Sequence, residues 1–165
     1  MKALTVIGLS ATFAAGLALL QGSAVAQQKS LKEQIQGPWS LASCNSTTAN
    51  GEKSPYCANN SKGILILAGN GNFAWTVIAG GRKDANAPGV ADNFGTWSVN
   101  EADKTVTFHI VEGINPATAG RDYKLNISLN GAGELRVAGD LSNPAGNPAG
   151  HFDLSYRRFK WPIQQ

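Results

Sequence analysis

Gly37-Pro38-Trp39-Ser40-Leu41 and Tyr156-Arg157-Arg158 stand at opposite ends of the part of the chain that carries strand-like patterning. The first opens the earliest run of alternating residues, and the second closes the last. A Trp in the first strand and an Arg in the last meet only if the sheet curls round on itself. The guanidinium then lies over the indole face, an arrangement worth roughly 1–2 kcal/mol when shielded from water. That geometry is a closed barrel.

Working outward from these ends, the period is two almost throughout. Trp39, Leu41 and Ser43 alternate with Ser40, Ala42 and Cys44 in a first strand. Gly63 to Ala68 and Asn72 to Ala79 are apolar runs parted by Gly69-Asn70-Gly71, a hairpin signal. Gly80 to Asp92 reads as a long Gly/Ala/Asn/Pro loop. Further strands are expected at Phe94 to Val99, Thr105 to Glu112, Tyr123 to Leu129 and Glu134 to Gly139. After the tandem Asn-Pro-Ala-Gly of Asn143 to Gly150, the last strand runs from Phe152 to Phe159, with Phe152, Leu154, Tyr156 and Arg158 on one face.

This gives an all-β chain of eight strands joined by short turns, with no helix long enough for a parallel crossover. The sheet is therefore expected to be antiparallel. A sandwich is the alternative architecture. Consecutive hairpins suit an up-and-down barrel better, and eight strands enclose a space that side chains fill or that holds one small ligand.

The first residues read as an address. Met1-Lys2 is followed by an almost wholly apolar run from Ala3 to Leu20, and Ala24-Val25-Ala26 supplies a small-x-small cleavage site. The expected division is a signal peptide over 1–26, a short helix within 27–36, a barrel over 37–160 and a tail over 161–165. Cleavage after Ala26 implies a periplasmic or secreted product with no membrane insertion afterwards. In the helix, Ser30-Leu31-Lys32-Glu33 matches a capping box, and Leu31 and Ile35 share one face from Leu31 to Gln36.

The two cysteines, Cys44 and Cys57, suit an oxidising compartment and read as a disulfide. Redox or metal roles lack a Cys-x-x-Cys spacing or a nearby histidine. The formal charge of +3 loses one unit with Lys2 in a chain only 15% charged. No basic run interleaved with aromatics points to nucleic acid. No Gly-x-Ser-x-Gly elbow and no clustered metal ligands occur. No cofactor and no metal are implied.

Several segments together resemble the bacterial and fungal lipocalin-like domain family, a branch of the calycin-type barrels. They are Gly37-Pro38-Trp39-Ser40-Leu41, Gly63-Ile64-Leu65 leading to Gly71, and Phe94-Gly95-Thr96-Trp97-Ser98-Val99. Thr105-Val106-Thr107-Phe108-His109, Pro116 with Gly120-Arg121-Asp122, and Tyr156-Arg157-Arg158 complete the set. The likeness runs from about Gly37 to Lys160. It implies an eight-stranded barrel with a pocket for a small, largely apolar molecule. By parity and family position, Arg158 rather than Arg157 covers Trp39, a structural pairing. The cysteine pair and Pro38 depart from the family pattern.

The candidate ligand-binding residues are Phe73, Trp75, Trp97, Phe108 and Tyr123, which either line a cavity or fill the core. The candidate catalytic residue is His109, with Glu112 and Asp122 near in sequence. Its alternation with Phe108 and Ile110 turns it outward if those two line the interior. His151 falls opposite Phe152, on the outer face.

The expected function is an exported, non-enzymatic barrel that binds a small hydrophobic or amphipathic molecule. One alternative is a small isomerase or cyclase using His109, chemistry that some lipocalin-like barrels are thought to perform. The other is a protein-binding barrel, such as an exported protease inhibitor, acting through the loops Asn45–Tyr56 and Gly80–Asp92.

Overall fold

Ser30-Leu31-Lys32-Glu33 folds as its spacing predicts. The Glu33 amide donates to Ser30 Oγ at 3.2 Å, and the Ser30 amide donates to Glu33 Oε2 at 2.8 Å. The Ser30 amide and hydroxyl are also the main reason the Glu33 carboxyl is held below its usual range. Helix α1 spans Leu31–Ile35, one residue shorter than expected because Gln36 is its C-cap. Its first two amides, from Leu31 and Lys32, donate to the two oxygens of Glu101, each at 2.9 Å. Ile35 is fully buried.

The structure, a computed structural model, describes residues 29–54, 57, 60–80, 90–142 and 148–160. The expected signal peptide and tail lie outside the described residues. Strands β1 (Gly37–Cys44), β2 (Thr47–Thr48), β3 (Lys62–Leu67), β4 (Asn72–Ile78) and β5 (Val90–Asn100) form the first half of the sheet. Strands β6 (Thr105–Gly113), β7 (Asp122–Leu129), β8 (Glu134–Ser142) and β9 (Pro148–Arg158) form the second. From β3 to β9 each strand pairs with the next in the chain, and β1 pairs with both β3 and β9. Every pairing is antiparallel, so the eight long strands make a closed up-and-down barrel. The two-residue β2 continues the seam along β9, with Thr47 opposite His151.

The seam sits where the sequence places it. Trp39 is directly opposite Arg158, whose guanidinium lies 3.9 Å from the centre of the indole. Arg158 also donates through Nη1 to the Gln36 carbonyl and through Nη2 to the Gln34 carbonyl. Trp39 Nε1 donates to the intervening Ile35 carbonyl at 2.7 Å. Three consecutive carbonyls at the helix end, which have no partners within a helix, are thereby satisfied by the two seam residues. Gly37 permits this. Its φ of +110° suits glycine, and a Cβ there would stand 3.0 Å from Arg158 Nη1. Trp39 is fully buried but the Arg158 side chain keeps an exposed edge, so the cation–π term is the smaller one, about 0.5–1 kcal/mol.

Several strand limits differ from the sequence reading. β5 begins at Val90 rather than Phe94, because residues 90–93 find partners along Ile78–Trp75 of β4. β8 runs through Gly139 to Ser142. A Cβ at Gly139 would come within 2.8 Å of the Leu125 side chain, so this glycine marks close approach of β7 and not a strand end. β1 carries a bulge between Leu41 and Ser43, which places Ser43 opposite Ser155 and Cys44 opposite Leu154. Cys44, and not Ser43, therefore takes the inward face.

The interior is built from alternate residues of every long strand, including Leu65, Leu67, Val106, Ile110, Ile127 and Leu135. Outside, Arg136 grips Asp153 with two hydrogen bonds of 2.7 and 2.8 Å across β8 and β9. That donation holds the Asp153 carboxyl below the usual carboxylate range, against partial burial, which acts the other way.

Two outcomes follow from these contacts. Arg158→Ala, measured by urea denaturation, loses the indole contact and two charge-assisted hydrogen bonds. It should be less stable by about 2–4 kcal/mol with an unchanged m-value; a loss under about 0.5 kcal/mol would show the seam does not need it. Asp153 has a depressed folded pKa, so its pairing stabilises above the ordinary carboxylate value and is lost as pH falls through the folded one. The stability gap between wild type and Arg136→Met should be constant above about pH 5 and shrink below about pH 4. A gap independent of pH down to acid unfolding would contradict this.

Candidate functional site

The barrel is asymmetric along its axis. At one end α1, the Gly69-Asn70-Gly71 turn and the β5–β6 turn meet over Trp39 and Trp97. The Trp97 indole donates to the Ala68 carbonyl at 3.0 Å, and Lys32 Nζ stands 5.6 Å from its ring centre. Phe73 and Phe108 pack edge to face at 4.8 Å, with Phe108 5.8 Å from Trp75. These rings fill the lumen of this half, and an open, more polar cleft of about 480 Å³ lies beside α1 between Gln34, Glu101, Lys104 and residues 127–129.

The opposite half holds a cavity of about 420 Å³. Its deep wall is apolar: Trp75 and Val77 from β4, Leu125 from β7, and Phe152 and Leu154 from β9. Trp75 meets Phe152 edge to face at 4.8 Å. Around the mouth stand polar groups, among them Ser46, Ser54, Asn93 and Thr118 with the ionisable Asp92 and His151, and the apolar side chain of Ile114, which is 63% exposed. Thr118 closes a short 3-10 turn, Pro116–Thr118, and its hydroxyl donates to Asn93 Oδ1 at 3.1 Å.

One side of the mouth is a strap tied down by the Cys44–Cys57 disulfide. Both cysteines line the cavity, and Cys57 is buried in the core cluster. Within the strap Ser54 N donates to the Ser46 carbonyl at 2.8 Å, and Cys57 N to the Ser54 carbonyl at 2.9 Å. The strap includes most of the 45–56 stretch expected to serve a protein-binding barrel. Residues 81–89 of the other such stretch lie outside the described residues.

Of the five aromatic candidates, Trp75 and Tyr123 line the cavity, whereas Phe73, Trp97 and Phe108 pack the filled half. Of the two roles open to these three, the buried packing at the α1 end is the core-filling one. Val77, Leu125, Phe152 and Leu154 line the cavity without having been singled out, although their alternation already put them on an inward face. Trp39 and Arg158 are the structural pair expected.

His109 is on the outer wall. Its register partner across β6 and β7 is Asp122, and Nδ1 lies 2.7 Å from Asp122 Oδ1 with the imidazole 49% exposed. A catalytic role inside the barrel is therefore not available to it. The physical reason is its parity with Phe108 and Ile110, which are both buried. His151 pairs with Asp140, Nδ1 to Oδ1 at 2.9 Å, and the residue also borders the mouth of the cavity. Among the described residues no three His, Cys, Asp or Glu side chains gather as a metal site. Among them, too, no helix is long and apolar enough to cross a membrane.

Three polar atoms around the cavity are buried without a hydrogen-bond partner: Thr48 Oγ1, Trp75 Nε1 and Tyr156 Oη. Thr48 and Trp75 are lining residues, and Tyr156 is fully buried beside them. Burial pushes the Tyr156 phenol far above its ordinary range, while the neighbouring Trp75 indole pulls it slightly back. The two groups are close, but their approach lacks hydrogen-bond geometry.

Compared with known proteins, the chain matches no protein-family model and no curated protein.

Breaking the strap tests its part in the architecture. The Cys44→Ala/Cys57→Ala variant should be less stable by about 3 kcal/mol, the loop-closure value for a loop of roughly this length. Thermal unfolding of the oxidised wild type against the variant measures it. Equal midpoints would show that the strap is held by its other contacts alone.

Proposed function

We propose that the protein is an exported, lipocalin-like barrel that holds a small hydrophobic or amphipathic molecule in the open half of its lumen. The observation that carries this reading is the half-filled interior. The same strands that close one end with rings and branched side chains leave about 420 Å³ at the other. That volume falls within the range of about 300–1,000 Å³ typical of small-molecule sites.

The lining supports an amphipathic guest. An apolar deep wall, a rim of hydroxyls and amides with Asp92 and His151 among them, and exposed Ile114 at the lip suit a molecule with an oily body and a polar end. The order of the Gly-x-Trp opening, Phe-Gly-Thr-Trp and the terminal Arg supports the lipocalin-like assignment. Export is supported by the apolar leader with its Ala24-Val25-Ala26 site and by the disulfide, a bond that persists in oxidising compartments.

An isomerase or cyclase acting through His109 gains nothing from the geometry, since that imidazole faces away from the cavity. What the lumen offers is enclosure.

A neutral phenylnaphthylamine dye provides the test. It should brighten on binding wild type with one site per chain. Val77→Trp, which places a larger ring in the deep wall, should weaken it at least tenfold while far-UV circular dichroism stays that of the barrel. His109→Ala should leave the dye affinity unchanged. Dye binding that ignores Val77→Trp would place the site elsewhere and remove the basis of the proposal.

A further inference from the structure

The deep wall of the cavity is apolar except for one feature. The Trp75 indole is more than nine-tenths buried, Tyr156 is wholly buried, and Nε1 and Oη approach one another without either gaining a partner in hydrogen-bond geometry. An unpaired buried donor is a standing cost, and native structures rarely leave one without a reason. Trp75 Nε1 donates only, and a tyrosine hydroxyl both donates and accepts. Trp75 meets Phe108 of the filled half and Phe152 of the cavity wall, and Tyr156 is its buried neighbour.

Resting on the ligand-holding reading above, we infer that the guest carries a neutral hydrogen-bond-accepting oxygen, of the carbonyl class, at the end that enters first. That oxygen receives hydrogens from Trp75 Nε1 and Tyr156 Oη. A carbonyl oxygen has two lone pairs and so serves both donors at once. A hydrocarbon end leaves both unpaired. A carboxylate end brings a full charge among the rings of Phe108, Trp75 and Phe152, where losing its water is far more costly than the two bonds return.

Both polar atoms are closed off from solvent, so the guest reaches them past a side chain that moves. Phe152 is that side chain. It lines the cavity, stands edge-on to the indole at 4.8 Å, and is only partly buried. Its displacement opens the polar pair to the lumen.

Butyrophenone and butylbenzene, which differ by one carbonyl, separate the possibilities by calorimetric titration of wild type, Trp75→Phe and Tyr156→Phe. Each variant should bind the ketone about five- to tenfold more weakly than wild type, with the hydrocarbon within twofold. If ketone and hydrocarbon change together in both variants, or neither changes, this inference is overturned and the ligand-holding reading stands. If neither compound binds wild type, both fall. The infrared carbonyl band of butyrophenone bound to wild type is independent of whether the variants fold. It should move well below its position in hexane, and a band left at the hexane position overturns the inference.

Discussion

The closure of the sheet by Trp39 and Arg158 is the contact on which the rest of the molecule depends. A twisted antiparallel sheet of eight strands left open has two exposed edges. Here the edges meet as β1 and β9, in a register that sets the indole opposite the guanidinium. The same two side chains then satisfy the last carbonyls of α1, at Gln34, Ile35 and Gln36. A five-residue helix has little stability of its own. It persists because Glu101 binds its first amides and the seam residues bind its last carbonyls. One interaction thus closes the barrel sideways and stoppers it lengthwise.

That stopper determines where a cavity is found. With Ile35 and the Trp97 and Phe73–Phe108 packing at one end, apolar volume is used up before the strands reach the other. The open end is bounded by the disulfide strap, the 3-10 turn after β6 and the start of β9, elements whose residues are small or polar. A lumen of this kind has its floor fixed by the fold and its mouth set by connecting segments, which is where such barrels vary most freely.

How much of this was legible in the sequence divides along one physical line. Parity is readable. The period of two placed Phe108 and Leu154 inside and His109 outside, and they sit so, while His151, paired with Asp140, also borders the cavity mouth. The ends of the barrel were readable too, because a Trp–Arg pair across the seam demands closure. Height along the barrel axis was not. Phe73 and Trp75 are adjacent inward residues of one strand, yet one packs the core and the other lines the cavity. That difference depends on strand tilt, on stagger and on how far α1 intrudes, none of which alternation encodes. Bulges were hidden as well: one extra residue near Ala42 exchanged the roles of Ser43 and Cys44. Gly139 misled in the other direction, since a glycine needed for close packing on Leu125 looks in sequence like a stop.

The distribution of titratable groups then bears on what the lumen does. His109 and Asp122, like His151 and Asp140, are direct register partners on the outer wall, where exposed cross-strand pairs contribute at most modest stability. Asp92, the acidic residue among those lining the cavity, accepts from the Thr76 hydroxyl at 3.0 Å on the exposed side of the sheet. The polar lining comprises an indole, hydroxyls and amides, with Asp92 and His151 at the mouth, and the buried Tyr156 phenol lies beside the indole. The indole, hydroxyls and amides donate and accept hydrogen bonds without exchanging protons near neutral pH. The deep wall thus carries fixed dipoles, while the titratable side chains stand at the cavity mouth and on the outer wall.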